Sequence, residues 1–309
     1  MTSPPSSDLP DVLVLGAGGT LGIAWLQGLL AGIEDGAGLD FRRVESFIGT
    51  SAGSFVASSL VAGRRPTRPG GHERAAPLPV PRPSGPMQLL AGPARYAAAV
   101  AAPWATPALG VTKPSGRFLR AAALRALPPG RASHDDLQEL VRRRGAQWDG
   151  RLRVCAVDRR TGRRVVFGSP GAPRAEVAEA VAASCAVPWI HRPVRIGDRE
   201  YVDGAVWSVT NLDVAPAGHG TRVLCLNPTA SLQLARTSPY AAVRAAMTTM
   251  TTLEAMTLRA RGAKVRVIGP ASDVAHVMGL DLMDERRRPA VLAGAYEQGL
   301  GLARVSAGG

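Results

Sequence analysis

The sequence contains little lysine, little cysteine and few aromatic residues. Only Lys113 and Lys264 are lysines, so arginine carries almost all of the net charge of +13. The three cysteines lack a Cys-x-x-Cys spacing, which disfavours a disulfide framework and predicts a reducing, cytoplasmic setting. Aromatic residues make up 5%, and no RNA- or DNA-binding motif accompanies the positive charge. We therefore expect no specific nucleic-acid partner, although an anionic partner of another kind fits the charge.

The sequence also lacks a long uncharged hydrophobic run. The nearest, residues 89–110, is interrupted by Arg95 and by three prolines, so we expect no transmembrane helix. The first residues lack the basic and apolar regions of a secretory signal. Hydrophobic residues nevertheless form 46% of 309 residues, enough for a sizeable core. We expect one domain over residues 1–309.

The first 62 residues repeat the order of strand, glycine-rich turn and helix. Residues 11–15 predict a buried strand, and residues 23–33 predict an apolar helix. Residues 44–48 predict a second strand, followed by a small-residue helix that ends near Ala62. This order is typical of a parallel sheet with crossover helices.

Further elements follow the first 130 residues. Two hairpins are predicted around Thr161-Gly162 and Gly197-Asp198, with a small-residue helix between them. Two more buried strands and two long helices complete the pattern. These predicted elements cover residues 223–226 and 265–268 for the strands, and residues 240–260 and 289–305 for the helices.

A proline- and arginine-rich insert separates the two parts of the chain. Residues 64–115 hold 11 of the 25 prolines, which predicts a long loop or mobile lid. Residues 64–131 hold ten arginines and one lysine against one glutamate, a net charge of +10. We therefore expect residues 64–131 to make peripheral contact with an anionic membrane surface.

The segment Gly49-Thr50-Ser51-Ala52-Gly53 fits the pattern Gly-x-Ser-x-Gly. In this pattern a nucleophilic serine stands on a tight turn between a strand and a helix, and Gly49 and Gly53 allow the backbone to pass closely. The helix N-terminus favours negative charge that develops beside the hydroxyl. The alternative is that Ser51 only caps the helix.

The first glycine turn contains Gly16, Gly18, Gly19 and Gly22. Its glycines allow the N–H groups of Gly18 and Gly19 to point at one oxyanion. A dinucleotide-binding turn is the alternative, although Leu21 stands where that fingerprint needs glycine. Its ribose-binding acid would have to be Glu34 or Asp35, inside the following helix. A turn without a ligand is the third interpretation.

A catalytic serine needs a base. Asp203 ends a predicted strand and precedes Gly204, so its carboxylate could accept the proton of Ser51 directly. Histidine bases in a Ser-Asp-His triad would be His219 or His276, and neither lies in a recognisable motif. An aspartate followed by glycine is, on its own, usually a turn.

The first glycine turn, the Gly-x-Ser-x-Gly turn and the strand end at Asp203-Gly204 follow one another along the chain. In this order they resemble the patatin-like phospholipases, a family of lipid acyl hydrolases. The resemblance continues through Ala183-Ser184-Cys185-Ala186-Val187-Pro188 and through Tyr201 to Asn211. It implies a Ser51–Asp203 catalytic dyad, an oxyanion hole at Gly18 and Gly19, and no metal or cofactor. It also implies a three-layer α/β/α sandwich around a mostly parallel sheet, with lipid or acyl-ester substrates.

One position departs from the family pattern. The family usually has arginine or lysine just before the last glycine of the first turn, where this sequence has Leu21. Leu21 supplies no positive charge to stabilise the oxyanion or to bind a phosphate, so the substrate preference is open. The alternatives to a lipid acyl hydrolase are a catalytically weak protein of the same family and a dinucleotide-binding protein.

Overall fold

The computed structural model describes residues 9–70, 114–126, 130–188, 190–230 and 241–307. Within these residues, eight strands form one mixed sheet with helices on both faces. The fold is therefore the predicted three-layer α/β/α sandwich.

The strands lie in the order β5-β6-β3-β2-β1-β7-β8, and β4 also pairs with β3. The pairs β3-β2, β2-β1, β1-β7 and β7-β8 are parallel, whereas the pairs β3-β6, β5-β6 and β3-β4 are antiparallel. The strands are β1 Val12–Leu15, β2 Ser46–Thr50, β3 Leu152–Asp158, β4 Arg164–Phe167, β5 Val194–Ile196, β6 Arg199–Asp203, β7 Arg222–Leu226 and β8 Lys264–Ile268.

The described residues also form α-helices, which pack on both faces of the sheet. Those of the described residues are α1 Gly19–Ala37, α2 Ala52–Val61, α3 Pro114–Ala126, α4 Asp135–Arg143, α5 Val177–Ser184, α6 Ala241–Ala260, α7 Ser272–Met278 and α8 Arg288–Ala307.

Alternate residues of β1 face opposite layers. Leu13 and Leu15 belong to a core cluster with α1, α2, α5 and α8. Val12 and Val14 belong to a second cluster that includes Leu258 of α6. Because β1 is buried on both faces, its sequence is a continuous apolar run rather than an alternating one.

The last strand differs from the prediction. We expected residues 265–268 to be buried, but β8 is the edge strand and Val267 is partly exposed. The alternation of Lys264, Val265, Arg266 and Val267 places charged side chains along this edge. Such charges are a common protection against pairing with another chain.

Most of the predicted insert, residues 71–113, lies outside the described residues, so the lid stays a prediction. Arg68 and Arg120, described cations on either side of that gap, have protein partners. Arg68 forms ion pairs with Asp35 (2.6 Å) and Glu34 (3.2 Å). Arg120 is buried, and its guanidinium lies 4.3 Å from the centre of the Trp207 ring.

Helix α8 packs unusually closely on α1. A side chain at Gly28 would overlap the carbonyl oxygen of Leu292, and a side chain at Gly32 would overlap that of Tyr296. From the other helix, a side chain at Gly299 would overlap the backbone of α1. These glycines therefore permit backbone contact between the two helices, and they fix the C-terminal helix relative to the first glycine turn.

Candidate active site

Ser51 stands on a sharp turn between β2 and α2. Its φ is 52°, in the left-handed region that non-glycine residues rarely adopt. A side chain at Gly53 would overlap the carbonyl oxygen of Leu15, and a side chain at Gly49 would overlap the backbone of α2. Both glycines of the motif are therefore required by close backbone packing.

The backbone of Ser51 is held by a second serine. The N–H of Ser51 donates to Oγ of Ser184 (2.9 Å), and that Oγ donates to the carbonyl oxygen of Cys155 (2.6 Å). Ser184 has no exposed surface, so both hydrogen bonds are shielded from water. The sequence placed Ser184 in a motif at the end of a helix but did not indicate this role.

Asp203 is the last residue of β6. Its Oδ1 accepts a hydrogen bond from the N–H of Ala205 (2.8 Å), and its own N–H donates to the carbonyl of Ala186 (3.0 Å). Burial raises the pKa of the Asp203 carboxyl to about 7, while hydrogen bonds from the Ala205 amide and the Ser51 hydroxyl oppose that rise. A carboxylate with a pKa near neutrality is well suited to accept a proton.

Strand register brings Ser51 and Asp203 together. Thr50, which precedes Ser51, lies opposite Cys155 of β3. Asp203 lies opposite Ala156, the next residue of β3. The carboxyl ends of β2 and β6 therefore meet at adjacent positions of β3, which brings Ser51 beside Asp203.

The first glycine turn follows β1, the neighbour of β2. Gly16 N–H donates to the Leu226 carbonyl (2.9 Å), and Ala17 N–H donates to the Val209 carbonyl (2.8 Å). Within the described part of the chain, no group accepts a hydrogen bond from the N–H of Gly18 or Gly19. These two donors stand at the N-terminus of α1, where the helix dipole adds positive potential.

The glycine turn lies beside the serine turn. An ideal Cβ on Gly22, one turn into α1, would lie 3.5 Å from Cβ of Ala52, the residue after Ser51. Gly18 packs tightly against Pro228, where a side chain would collide with the proline ring. Gly16, Gly18 and Gly22 therefore lie near the start of α2 or the carboxyl end of β7, whereas Gly19 contacts the segment that contains Leu282 and Met283.

Leu21 is fully buried at the position of the family's basic residue. Its N–H donates to the carbonyl of Leu282 (2.9 Å), in the segment between α7 and α8. Leu282 is fully buried with it in the same core cluster. The C-terminal part of the chain therefore surrounds this side chain with apolar groups, which explains the departure from the family pattern in packing terms.

Asn211 connects the two halves of the site. Its Nδ2 donates to Oγ1 of Thr50 (3.1 Å), to the carbonyl of Ser208 (2.7 Å) and to the carbonyl of Gly204 (3.3 Å). It therefore ties the residue before Ser51 to the residue after Asp203. The sequence pointed to Asn211 only through the family resemblance.

A buried carboxylate supports this connection from α6. Oε2 of Glu254 accepts hydrogen bonds from Thr210 Oγ1 (2.7 Å) and from the N–H of Leu212 (2.9 Å), on either side of Asn211. Burial raises the pKa of Glu254, and the nearby charge of Asp213 adds to the rise. No motif in the sequence indicated this contact.

The histidines do not complete a triad. The Ser51 hydroxyl instead lowers the pKa values of Asp203 and Cys185, which places these two side chains beside it. His219 packs against Gly262, and His276 is exposed on α7. A histidine base was an alternative from the sequence, and the observed contacts of Ser51 favour the aspartate.

The acids required by the dinucleotide alternative have other partners. Glu34 accepts a hydrogen bond from the N–H of Phe41 (3.0 Å) and pairs with Arg68 (3.2 Å). Asp35 also pairs with Arg68 and accepts a hydrogen bond from the Tyr296 hydroxyl (3.0 Å). Neither carboxylate is available to a ribose without breaking these contacts.

The described residues contain neither a cluster of metal ligands nor a membrane-spanning helix. No cluster of three or more histidine, cysteine, aspartate or glutamate side chains is arranged to hold a metal ion. Among the helices that the structure describes, none is both long enough and apolar enough to cross a bilayer.

Three solved structures are similar to this chain. VipD from Legionella pneumophila is 14% identical with a TM-score of 0.41, covering 96% of this chain and 67% of VipD. The type III effector protein ExoU is 14% identical with a TM-score of 0.39, covering 98% of this chain and 53% of that chain. ExoU in its complex with SpcU, from Pseudomonas aeruginosa, is 18% identical with a TM-score of 0.32 and corresponding coverages of 95% and 52%. This chain therefore spans about half the length of ExoU.

The sequence comparisons identify the family. Among curated proteins, no sequence matches the chain. The sequence model of the family described as patatin-like phospholipase matches residues 13–216, which is about two thirds of the chain and includes Ser51, Asp203 and the first glycine turn. This protein belongs to the patatin-like phospholipase family, a family of lipid acyl hydrolases.

Proposed function

We propose that this protein hydrolyses carboxylic esters of phospholipids or other acyl lipids, with Ser51 as nucleophile and Asp203 as general base. One observation carries the proposal: Thr50 and Asp203 lie opposite adjacent residues of β3, which brings Ser51 beside the buried Asp203 carboxyl. The pKa of that carboxyl is raised to about 7 by burial, and the neighbouring Ser51 hydroxyl opposes the rise. A general base must lie within hydrogen-bonding reach of the proton that it removes.

The first half of the reaction acylates Ser51. Asp203 takes the hydroxyl proton as Oγ of Ser51 attacks the ester carbonyl, and a tetrahedral intermediate forms. The N–H groups of Gly18 and Gly19 hold the oxyanion, since neither donates to another group in the described part of the chain. The C–O bond to the alcohol then breaks, and Asp203 returns the proton to the leaving oxygen.

The second half of the reaction releases the acid. Asp203, again ionised, takes a proton from a water molecule that attacks the acyl-serine carbonyl. The bond to Oγ of Ser51 breaks, and the serine oxygen recovers its proton from Asp203. The products are a carboxylic acid and the alcohol, and no cofactor takes part in these steps.

Hydrolysis of p-nitrophenyl acyl esters and of phospholipid vesicles tests the proposal directly. We expect Ser51→Ala and Asp203→Asn each to lower kcat by at least about 1000-fold, because each removes one member of the dyad. A fluorophosphonate probe should label the wild type at Ser51 and fail to label Ser51→Ala.

Two matched substitutions serve as controls. Ser58→Ala removes a buried hydroxyl of α2 that bonds only to the Phe55 carbonyl (2.9 Å). Asp198→Asn removes a carboxylate that is 91% exposed, in the turn before β6. Both should keep wild-type turnover. Undiminished hydrolysis by Ser51→Ala would exclude Ser51 as the nucleophile, and absence of both turnover and labelling in the wild type would favour the catalytically weak alternative.

We also propose that residues 64–131 bring the enzyme to an anionic membrane surface. Arg68 and Arg120 have protein partners, and the attraction rests on the net positive charge of the whole stretch. Co-sedimentation with anionic vesicles should exceed that with zwitterionic vesicles at low salt and should decline at about 0.5 M salt. Equal binding to both kinds of vesicle would contradict the proposal.

A further inference from the structure

The segment between α7 and α8 lies against the first glycine turn. Sδ of Met283 would lie only 2.7 Å from an ideal Cβ on Gly19, so this thioether is in direct contact with the glycine backbone. Oγ1 of Thr20 lies 4.0 Å from the same sulfur. Met283 is partly exposed, whereas its neighbour Leu282 is fully buried. Met283 is therefore the residue of this pair that a ligand at the turn can reach.

Two contacts fix the position of this methionine. The N–H of Met283 donates to Oδ1 of Asp281 (3.1 Å), which holds the local turn. The following helix, α8, is anchored on α1 by the close approach at Gly28 and Gly32. The backbone beside Met283 is thereby held in place, while its unbranched side chain can adapt to a ligand.

The order of strands defines two sides of Ser51. Asp203 lies on the side of β3 and β6, whereas the first glycine turn and Met283 lie on the side of β1. A leaving alcohol must face Asp203, because it takes its proton from that carboxyl. With the alcohol on that side, the carbonyl oxygen and the acyl chain of a planar ester both point away from Asp203. The oxygen then faces the N–H groups of Gly18 and Gly19, and the chain leaves beside it, where Met283 contacts Gly19.

We propose that Met283 is a specificity-determining residue for the acyl group. Its thioether forms an apolar wall along which an unbranched alkyl chain lies, so the site favours esters of medium- and long-chain acids over esters of short ones. This inference rests on the proposed function, since it takes the roles of Ser51, Asp203 and the glycine N–H groups from that proposal. Met283 lies outside the residues matched by the family, so it is a feature of this chain's own C-terminal part.

A chain-length series tests the inference. The substrates are p-nitrophenyl esters with acyl chains of about 4 to 16 carbons, and the measured quantity is the ratio of kcat/KM for long chains to that for short ones. Met283→Ala should lower this ratio about fivefold to twentyfold, because it removes apolar contacts to the chain. Met283→Leu, which keeps the volume, should change the ratio less than about twofold.

Met256→Ala is the matched control. Met256 is 58% exposed on α6, so its loss should leave the ratio unchanged. A second readout is the rate at which short- and long-alkyl fluorophosphonates label Ser51. Met283→Ala should slow labelling by the long-alkyl probe more than labelling by the short one.

Three results would overturn the inference. The first is an equal loss for all chain lengths, which would mean that Met283 only stabilises the turn. The second is an unchanged ratio, and the third is a sensitivity found only when the alcohol is varied at constant acyl group. A wild-type protein without turnover or labelling would instead overturn the proposed function, and this inference with it.

Discussion

The backbone N–H of Ser51 donates a 2.9 Å hydrogen bond to the side chain of Ser184. A hydroxyl from α5 thus satisfies the backbone amide of Ser51. The same hydroxyl donates to β3, so one side chain ties the serine turn both to a neighbouring helix and to a strand. The unusual φ of Ser51 is maintained by this contact together with the glycines on either side of it.

Replacing Ser184 should loosen the serine turn. Ser184→Ala leaves a buried N–H and a buried carbonyl without their partner, which should lower the free energy of unfolding by about 1–3 kcal/mol. Ser58→Ala, which removes a hydroxyl bonded only to the carbonyl of Phe55, should cost less than about 1 kcal/mol. Urea denaturation of both variants measures the difference, and equal losses would show that the contact is unimportant.

Activity should depend on pH through Asp203. Burial raises the pKa of this carboxyl from 3.8 to about 7, so at pH 5 most molecules hold a proton on the base and cannot activate Ser51. We expect kcat/KM for a soluble acyl ester to rise with pH and to reach half its maximum near pH 7. An acid limb centred near pH 4 would show that Asp203 is ionised across the whole range.

Restoring the family's basic residue should destabilise this chain. Leu21→Arg would bury a guanidinium among Leu282 and the other apolar groups of the core, at a cost of about 3–5 kcal/mol. Leu253→Arg is the control, because Leu253 is 46% exposed on α6, and it should change stability by less than about 0.5 kcal/mol. Thermal denaturation distinguishes the two. A Leu21→Arg protein as stable as the wild type would mean that the position tolerates charge.

Two glycines in the packed helix pair should respond in opposite directions. Gly32→Ala places a methyl group on the Tyr296 carbonyl and should destabilise the fold by about 1–3 kcal/mol. Gly301 is exposed on α8 with nothing near its Cβ position. Gly301→Ala should therefore raise stability by up to about 1 kcal/mol through helix propensity. A loss of stability in both variants would contradict this account of the interface.

The elements near the two glycine motifs could be predicted because their signals are local. The apolar run 11–15 and the observed strand Val12–Leu15 nearly coincide, and the turn at Ser51 follows from its flanking glycines. The helix over 23–33 was predicted too short. The observed helix begins at Gly19. The sequence did not indicate this start, because the glycines of the first turn disfavour a helix and no side chain caps its first N–H groups.

Contacts between distant segments could not be predicted. Nothing near Ser184 or Glu254 in the sequence shows that they reach the turns carrying Ser51 and Asn211, because those contacts depend on how helices pack. Likewise, residues 265–268 have the composition of a buried strand, and only the strand order shows that β8 is at the edge. Met283 lies in a segment without a motif, and the fold alone brings it to Gly19.

The pairing of β1 with β7 has a consequence for synthesis of the chain. Val12 of β1 lies opposite Val223 of β7. One edge of β1, the first strand to be synthesised, therefore stays unpaired until residues more than 200 positions later have been translated. Nascent chains therefore carry an apolar strand with an unsatisfied edge through most of translation, and such long-range pairings form slowly. A fragment ending at residue 216, where the family match ends, would include Ser51 and Asp203 and still lack β7, the strand that pairs with the second edge of β1.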